Sequence, residues 1–98
     1  MIVITGAVVA APDHFDEVLA LSLEHVHRSR LEPGCISHAV HRDAENALRL
    51  VFVEEWDDMP AVQAHFTVPA SREFGRVLAR LSSEPPTITL YDAMKIER

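Results

Sequence analysis

The chain has one cysteine, Cys35, so an intramolecular disulfide is excluded, and a lone thiol beside a turn reads as a small packed hydrophobe rather than a nucleophile. Its three glycines form no phosphate-cradling loop, dinucleotide fingerprint or nucleophile elbow, so no organic cofactor is implied. Basic side chains are few: nine stand against fifteen acidic ones, and the net charge of −6 opposes binding to nucleic acid or to an anionic membrane surface. No apolar run reaches the roughly 18 residues of a membrane span. The apolar amino terminus, Met1 to Ala11, has no basic leading region and continues directly into Pro12-Asp13, which reads as a strand and not a signal peptide. A soluble cytoplasmic protein is the expectation.

What is present is the composition of a packed domain, 48% apolar and 24% charged over 98 residues, enough for one hydrophobic core and one domain, 1–98. Residues 2–10 read as a strand, and Asp13 is placed to cap a helix from about His14 to Arg30. Along that helix Phe15, Val18, Leu19, Ser22, Leu23, Val26 and Ser29 recur at helical spacing and predict the buried stripe. Glu32-Pro33-Gly34 stops it. Ile36 to Arg42 and Leu48 to Trp56 form a predicted antiparallel pair around Asp43–Asn46. Asp57-Asp58 before Pro60 marks a second helix start, with Ala61–Phe66 as a short piece that Pro69 restarts through Leu81. After the rigid Ser82–Pro86 connection, Thr87 to Ile96 alternates as the last strand.

The order β-α-β-β-α-β predicts an α+β, ferredoxin-like fold with two helices on one face of a four-stranded antiparallel sheet. Leu50-Val51-Phe52-Val53 is apolar at both parities, so both faces of that strand need cover. Ile2, Ile4, Val51, Val53, Ile88 and Leu90 exceed what two helices hide, and a bare sheet of that size is an association patch. A homodimer through the sheet face, forming a dimeric α+β barrel, is the expected assembly.

Glu32-Pro33-Gly34-Cys35, His41-Arg42-Asp43, Glu54-x-Trp56 and Ala64-His65-Phe66 followed by Pro69 resemble, across almost the whole chain, the antibiotic biosynthesis monooxygenase domain family of small dimeric α+β barrels. That family includes cofactor-free oxygenases of polyketide phenols, quinol monooxygenases, haem-degrading enzymes and a phospho-sugar isomerase. The haem-degrading members are similar in fold but place a haem-ligating histidine where this chain has Gly75. Members that oxygenate polyketides match at Trp56 and His41, whereas their pocket asparagine and tyrosine correspond to Phe52 and Val62. A second histidine that many members carry is replaced by Ala70-Ser71. The resemblance implies a cofactor-independent monooxygenase acting on a small phenol, quinol or related aromatic. Alternatives are a proton-transfer enzyme on a small phosphorylated sugar, anchored by Arg28, Arg72 or Arg76, and a non-catalytic binding module with His65 turned outward.

Six histidines are many for this length, and imidazole exchanges protons near neutrality without special tuning. His65, near Trp56, is the first candidate base or orienting group, and His41 the second. His38 and His41 lie at odd separation and point to opposite strand faces, so at most one of them shares a pocket with His65. Trp56, Phe52, Phe66 and Leu78 are expected to wall the substrate pocket, and Arg76, with Tyr91, to supply a polar group there. His25 and His27 lie two apart on a helix and cannot converge on one ion, so no metal site is expected. Glu54 shares a face with Phe52 and Trp56 and is read as structural, paired to an arginine or a backbone amide.

Overall fold

A computed structural model describes residues 1–98. Strands β1 (Ile2–Val9), β2 (Cys35–Arg42), β3 (Arg49–Trp56) and β4 (Thr87–Asp92) form one antiparallel sheet in the order β2-β3-β1-β4. Helices α1 (Phe15–Ser29), α2 (Met59–Thr67) and α3 (Pro69–Leu81) complete a β-α-β-β-α-α-β ferredoxin-like α+β fold. Pro69 lacks the N–H that would continue α2, and Val68 before it is held extended at φ −62°, ψ 123°, so the second helical segment is two helices.

Two boundaries and one buried stripe differ from expectation. Asp13 lies in a short 3-10 turn, Pro12–His14, and its side chain caps nothing; the capping aspartate is Asp58, whose Oδ1 accepts from the amide of Ala61 at 3.0 Å. β4 ends at Asp92, where the Ala93 amide donates to the Met1 carbonyl at 2.8 Å and β1 offers no further partner. The buried stripe of α1 contains Val18, Ser22, His25, Val26 and Ser29, while Leu23 turns outward. Serines 22 and 29 flank His25 at helical spacing, so the stripe carries a polar band.

Strand parity sets the layers. Leu50, Phe52, Glu54 and Trp56 point at the helices and are buried, and Val53 on the opposite face is exposed. Ile2 and Ile4 pair in register with Trp56 and Glu54 and share their face, so they are covered by the chain's own helices rather than left bare. Two apolar clusters result: Val8, Val18, Val26, Leu50, Phe52 and Leu78 among one, Ile2, Ile4, Trp56 and Val62 in the other. Glu54 lies along β3 between the residues that anchor them, Phe52 and Trp56.

The Glu32–Cys35 turn leads from α1 into β2 and packs against the start of α2. Gly34 has φ +84°, its carbonyl accepts from the Asp57 amide at 2.9 Å, and a Cβ on it would stand 2.5 Å from the Ala61 Cβ. Gly34→Ala is therefore strained in both backbone and packing and should cost about 1–3 kcal/mol in urea unfolding. Gly75→Ala, where a Cβ meets nothing within 4 Å, should instead stabilise by about 0.5–1 kcal/mol through helix propensity. Equal effects at the two positions would contradict this account of the turn.

Candidate functional site

His65 sits near the end of α2, where the preceding Asp58 cap and Pro60 fix the helix start and Val62 packs inward on the same face. It is 4% exposed, and its Nδ1 lies 2.8 Å from Oε1 of Glu32 in the turn. With the carboxylate accepting from Nδ1–H, the lone pair resides on Nε2.

His38 reaches the same interior from β2. In the β2–β3 register it is opposite Glu54, and residues directly opposite share a face. Its Nε2 stands 3.2 Å from Glu54 Oε1, close enough for an ion pair but misaligned for a hydrogen bond, so neither ring nitrogen of this 2% exposed side chain has a hydrogen-bond partner. Glu54 Oε1 also accepts from the Trp56 indole N–H at 2.9 Å. Burial pushes the Glu54 carboxyl up, but the His38 ring, the Trp56 N–H and the His65 ring together push it further down, to a net value below the ordinary carboxylate range.

His25 completes the group from α1. Its ring is stacked on Phe74 at 4.1 Å between centroids and lies 5.2 Å from His38 and 5.3 Å from His65. An Arg28 guanidinium N–H donates to its Nδ1 at 3.1 Å. Burial, then the neighbouring His38, His65 and Arg28, lower its pKa to about 3, so it is neutral over the whole physiological range.

His25, His65 and Glu54 form one end of a cleft of about 420 Å³ between the sheet and α2–α3, within the size range of small-molecule sites. Its walls are Phe52, Phe66, Phe74 and Leu78; His25, His65 and Glu54 are its titratable floor, and Arg72 is its cation.

Several expectations need correction against this geometry. His41 lies on the open face, opposite Val51, and cannot share the cleft with His65; the strand histidine that meets His65 is His38, 5.8 Å away between ring centroids and behind the cleft lining. Trp56 is fully buried behind the cleft, 4.7 Å from the His65 ring, where it holds Glu54 and His65 in place instead of forming a wall. Arg76 is exposed and pairs with Glu73 at 2.8 Å on the outside of α3, one turn from the cleft-lining Arg72. Tyr91 is half exposed on the strand face turned away from the helices. Glu54 meets no arginine and lines the cleft. The histidines that converge are 25, 38 and 65, from three separate elements, which spacing along a single helix does not disclose. Burial, followed by the Glu54 and Glu32 charges, raises the Cys35 thiol pKa against a smaller opposing effect of Arg30, which fits a packed thiol.

The fold and site define a small α+β protein with an apolar cleft over a buried imidazole–carboxylate cluster. A family model described as antibiotic biosynthesis monooxygenase matches residues 1–77, and the chain belongs to that family. An uncharacterized protein of Synechocystis sp. (strain ATCC 27184 / PCC 6803 / Kazusa) is 34% identical over 90 residues; the match covers 92% of this chain and 61% of the relative, so the chain spans under two thirds of that protein's length. Among solved structures, an antibiotic biosynthesis monooxygenase is similar at TM-score 0.89 with 26% identity, over 97% of this chain and 100% of that one. A Deinococcus radiodurans structure named for the same activity has TM-score 0.94 at 23% identity, covering 100% and 97% of the two chains. A Mycobacterium tuberculosis protein has TM-score 0.90 at 20% identity, covering 99% and 98%; these last two likenesses establish the fold. No helix is long and apolar enough to cross a membrane.

Because His25 is neutral in the folded protein down to about pH 3 but protonates near 6.5 when unfolded, the unfolded state binds one more proton between those values. Its burial therefore costs nothing above pH 6.5 and lowers stability by about 1.4 kcal/mol per pH unit below it. Urea unfolding of chelator-treated protein from pH 7 to pH 4 should show a shallower loss of stability in His25→Gln, in which the charged and titratable neighbours Arg28, His38 and His65 are retained. An unchanged slope would contradict the buried neutral state.

Proposed function

We propose that this protein is a cofactor-independent monooxygenase acting on a small phenol, quinol or related aromatic, with His65 as the base. The observation that carries the reading is the Glu32–His65 pair at the edge of an aromatic-walled cleft: a carboxylate on Nδ1 orients the ring and leaves the Nε2 lone pair to take a proton. Family membership supports a monooxygenase-like activity, and the substrate class is inferred from the cleft. Its Phe52, Phe66 and Phe74 walls suit a flat ring, and an apolar surround leaves a bound phenolate electron-rich toward oxygen.

The chemistry balances without a reductant. Nε2 takes the phenolic proton, and the phenolate passes one electron to O2 so that the resulting radical pair can join as a carbon–oxygen bond. The imidazolium returns its proton to the peroxide. Loss of the adjacent C–H proton to Nε2 then breaks the O–O bond, leaving one oxygen as a quinone carbonyl while the departing hydroxide takes the proton and leaves as water.

Arg72 favours a second reading. Of the three arginines expected as phosphate anchors, Arg28 is held at His25 and Arg76 at Glu73, while Arg72 lines the cleft. Proton transfer on a small phosphorylated sugar would use the same His65 with Arg72 on the phosphate. A binding module with His65 turned outward is disfavoured, because His65 is buried.

The same reading includes a homodimer through the open sheet face, where Val53 is exposed and Val51 only partly covered. Sedimentation at micromolar concentration should give a dimer that Val53→Glu dissociates; a folded wild-type monomer would sink this assembly.

Oxygen consumption by metal-free protein across a panel of phenols and quinols should show turnover that falls by about 10²-fold or more in His65→Ala. His41→Ala, on the opposite face, should leave it unchanged. Absence of uptake with every phenol, together with conversion of a phosphorylated sugar that Arg72→Ala abolishes, would replace the first reading by the second.

A further inference from the structure

His25, His38 and His65 project from α1, β2 and α2, and one nitrogen of each lies within 4.8 Å of the others. Around a tetrahedral zinc ion with bonds of about 2.0–2.1 Å, ligand nitrogens stand about 3.3 Å apart, so a shift of about 1 Å in each ring brings the set to bonding distance. Two features of the His38–Glu54 pair point to a cation at this place. His38 is almost fully buried, yet its Nδ1 has no polar partner and its Nε2 has only the ion-pair contact with Glu54 at 3.2 Å, where buried imidazoles ordinarily make hydrogen bonds. Glu54 is a buried carboxylate whose ion-pair partner is that same His38, with no lysine or arginine paired to it.

We propose that His25, His38 and His65 bind one divalent transition-metal ion of the kind that prefers imidazole, zinc being the type case, with the buried Glu54 carboxylate beside His38 offsetting its charge. Three imidazole nitrogens with a fourth position left to water suit such an ion in ligand type. The surrounding contacts are those that orient ligands. Glu32 accepts from His65 Nδ1–H, and the Trp56 indole N–H fixes Glu54. Arg28 opposes binding, since its guanidinium occupies His25 Nδ1; its own tie is a loose 4.0 Å pair with Glu24, so it can swing to solvent as the ion enters. The proposal does not rest on the monooxygenase reading. The two uses of the site exclude each other, because a bound ion takes the Nε2 lone pair that a base would need.

The test is a titration of untagged, chelator-stripped full-length protein with Zn²⁺ by calorimetry and with Co²⁺ by visible absorption, which reports four-coordinate geometry. One ion per chain and a rise in Tm are expected. His38→Gln should weaken binding by about a hundredfold and Glu32→Gln by about tenfold, while Arg28→Gln should tighten it. A combined His14→Ala, His27→Ala, His41→Ala variant, which removes the three exposed histidines, should bind as the wild type does. Should His38→Gln fail to fold by circular dichroism, His25→Gln reports the same ligand set. No stoichiometric binding, unchanged affinity in the folded His38→Gln or His25→Gln variant, or loss of binding in the exposed-histidine variant would each overturn the site. Zinc binding by a protein that consumes no oxygen would uphold the site and count only against the enzymatic reading.

Discussion

One buried carboxylate organises the interior. Strand parity places Glu54 on the helix-facing side of β3 between Phe52 and Trp56, and an ionised carboxylate there is tolerable only with polar partners close by. The Trp56 indole and the His38 ring supply them, and because both are large they bring His65 and His25 into contact behind them. The remainder of the core is apolar and divides on either side of this polar seam. The cleft opens where the seam meets the α2–α3 helices, which is why its floor is chemical and its walls are aromatic.

Much of this architecture was legible in the residues. The double parity of Leu50–Val53, the Pro33-Gly34 stop and the Asp58-x-Pro60 start are local signals, and local signals do not depend on tertiary context. The site was less so. His38 and His41 were correctly separated onto opposite faces, but choosing between them required the hairpin register, which a bulge between Cys35 and Ser37 shifts by one residue. Once Glu54 is known to face the helices, its opposite number His38 must face them too. His25 had a usable signal in its spacing from Val18, Ser22 and Ser29, obscured by Leu23, a better hydrophobe that points to solvent. Arg72 and Arg76 lie one turn apart on α3, and only the packing of that helix decides which one meets the cleft.

The same cluster supports an oriented base and a metal site for related physical reasons. Both require imidazoles that are neutral, held from one nitrogen and shielded from water, and Glu32 at His65 Nδ1 meets that need for either use. What distinguishes them is whether Nε2 faces a substrate proton or an ion. Arg28, seated on His25 at the rim, is the contact that biases the choice, since a guanidinium that stays there repels a second cation.

The central claim is that three histidines share one buried seam, with His65 held in one tautomer by Glu32. Long-range ¹H–¹⁵N correlation of the imidazole rings in metal-free protein tests it most directly. The account predicts His65 carrying its proton on Nδ1 and His25 remaining neutral at pH 5. A His25 already protonated at pH 5, or a His65 protonated on Nε2 alone, would contradict it.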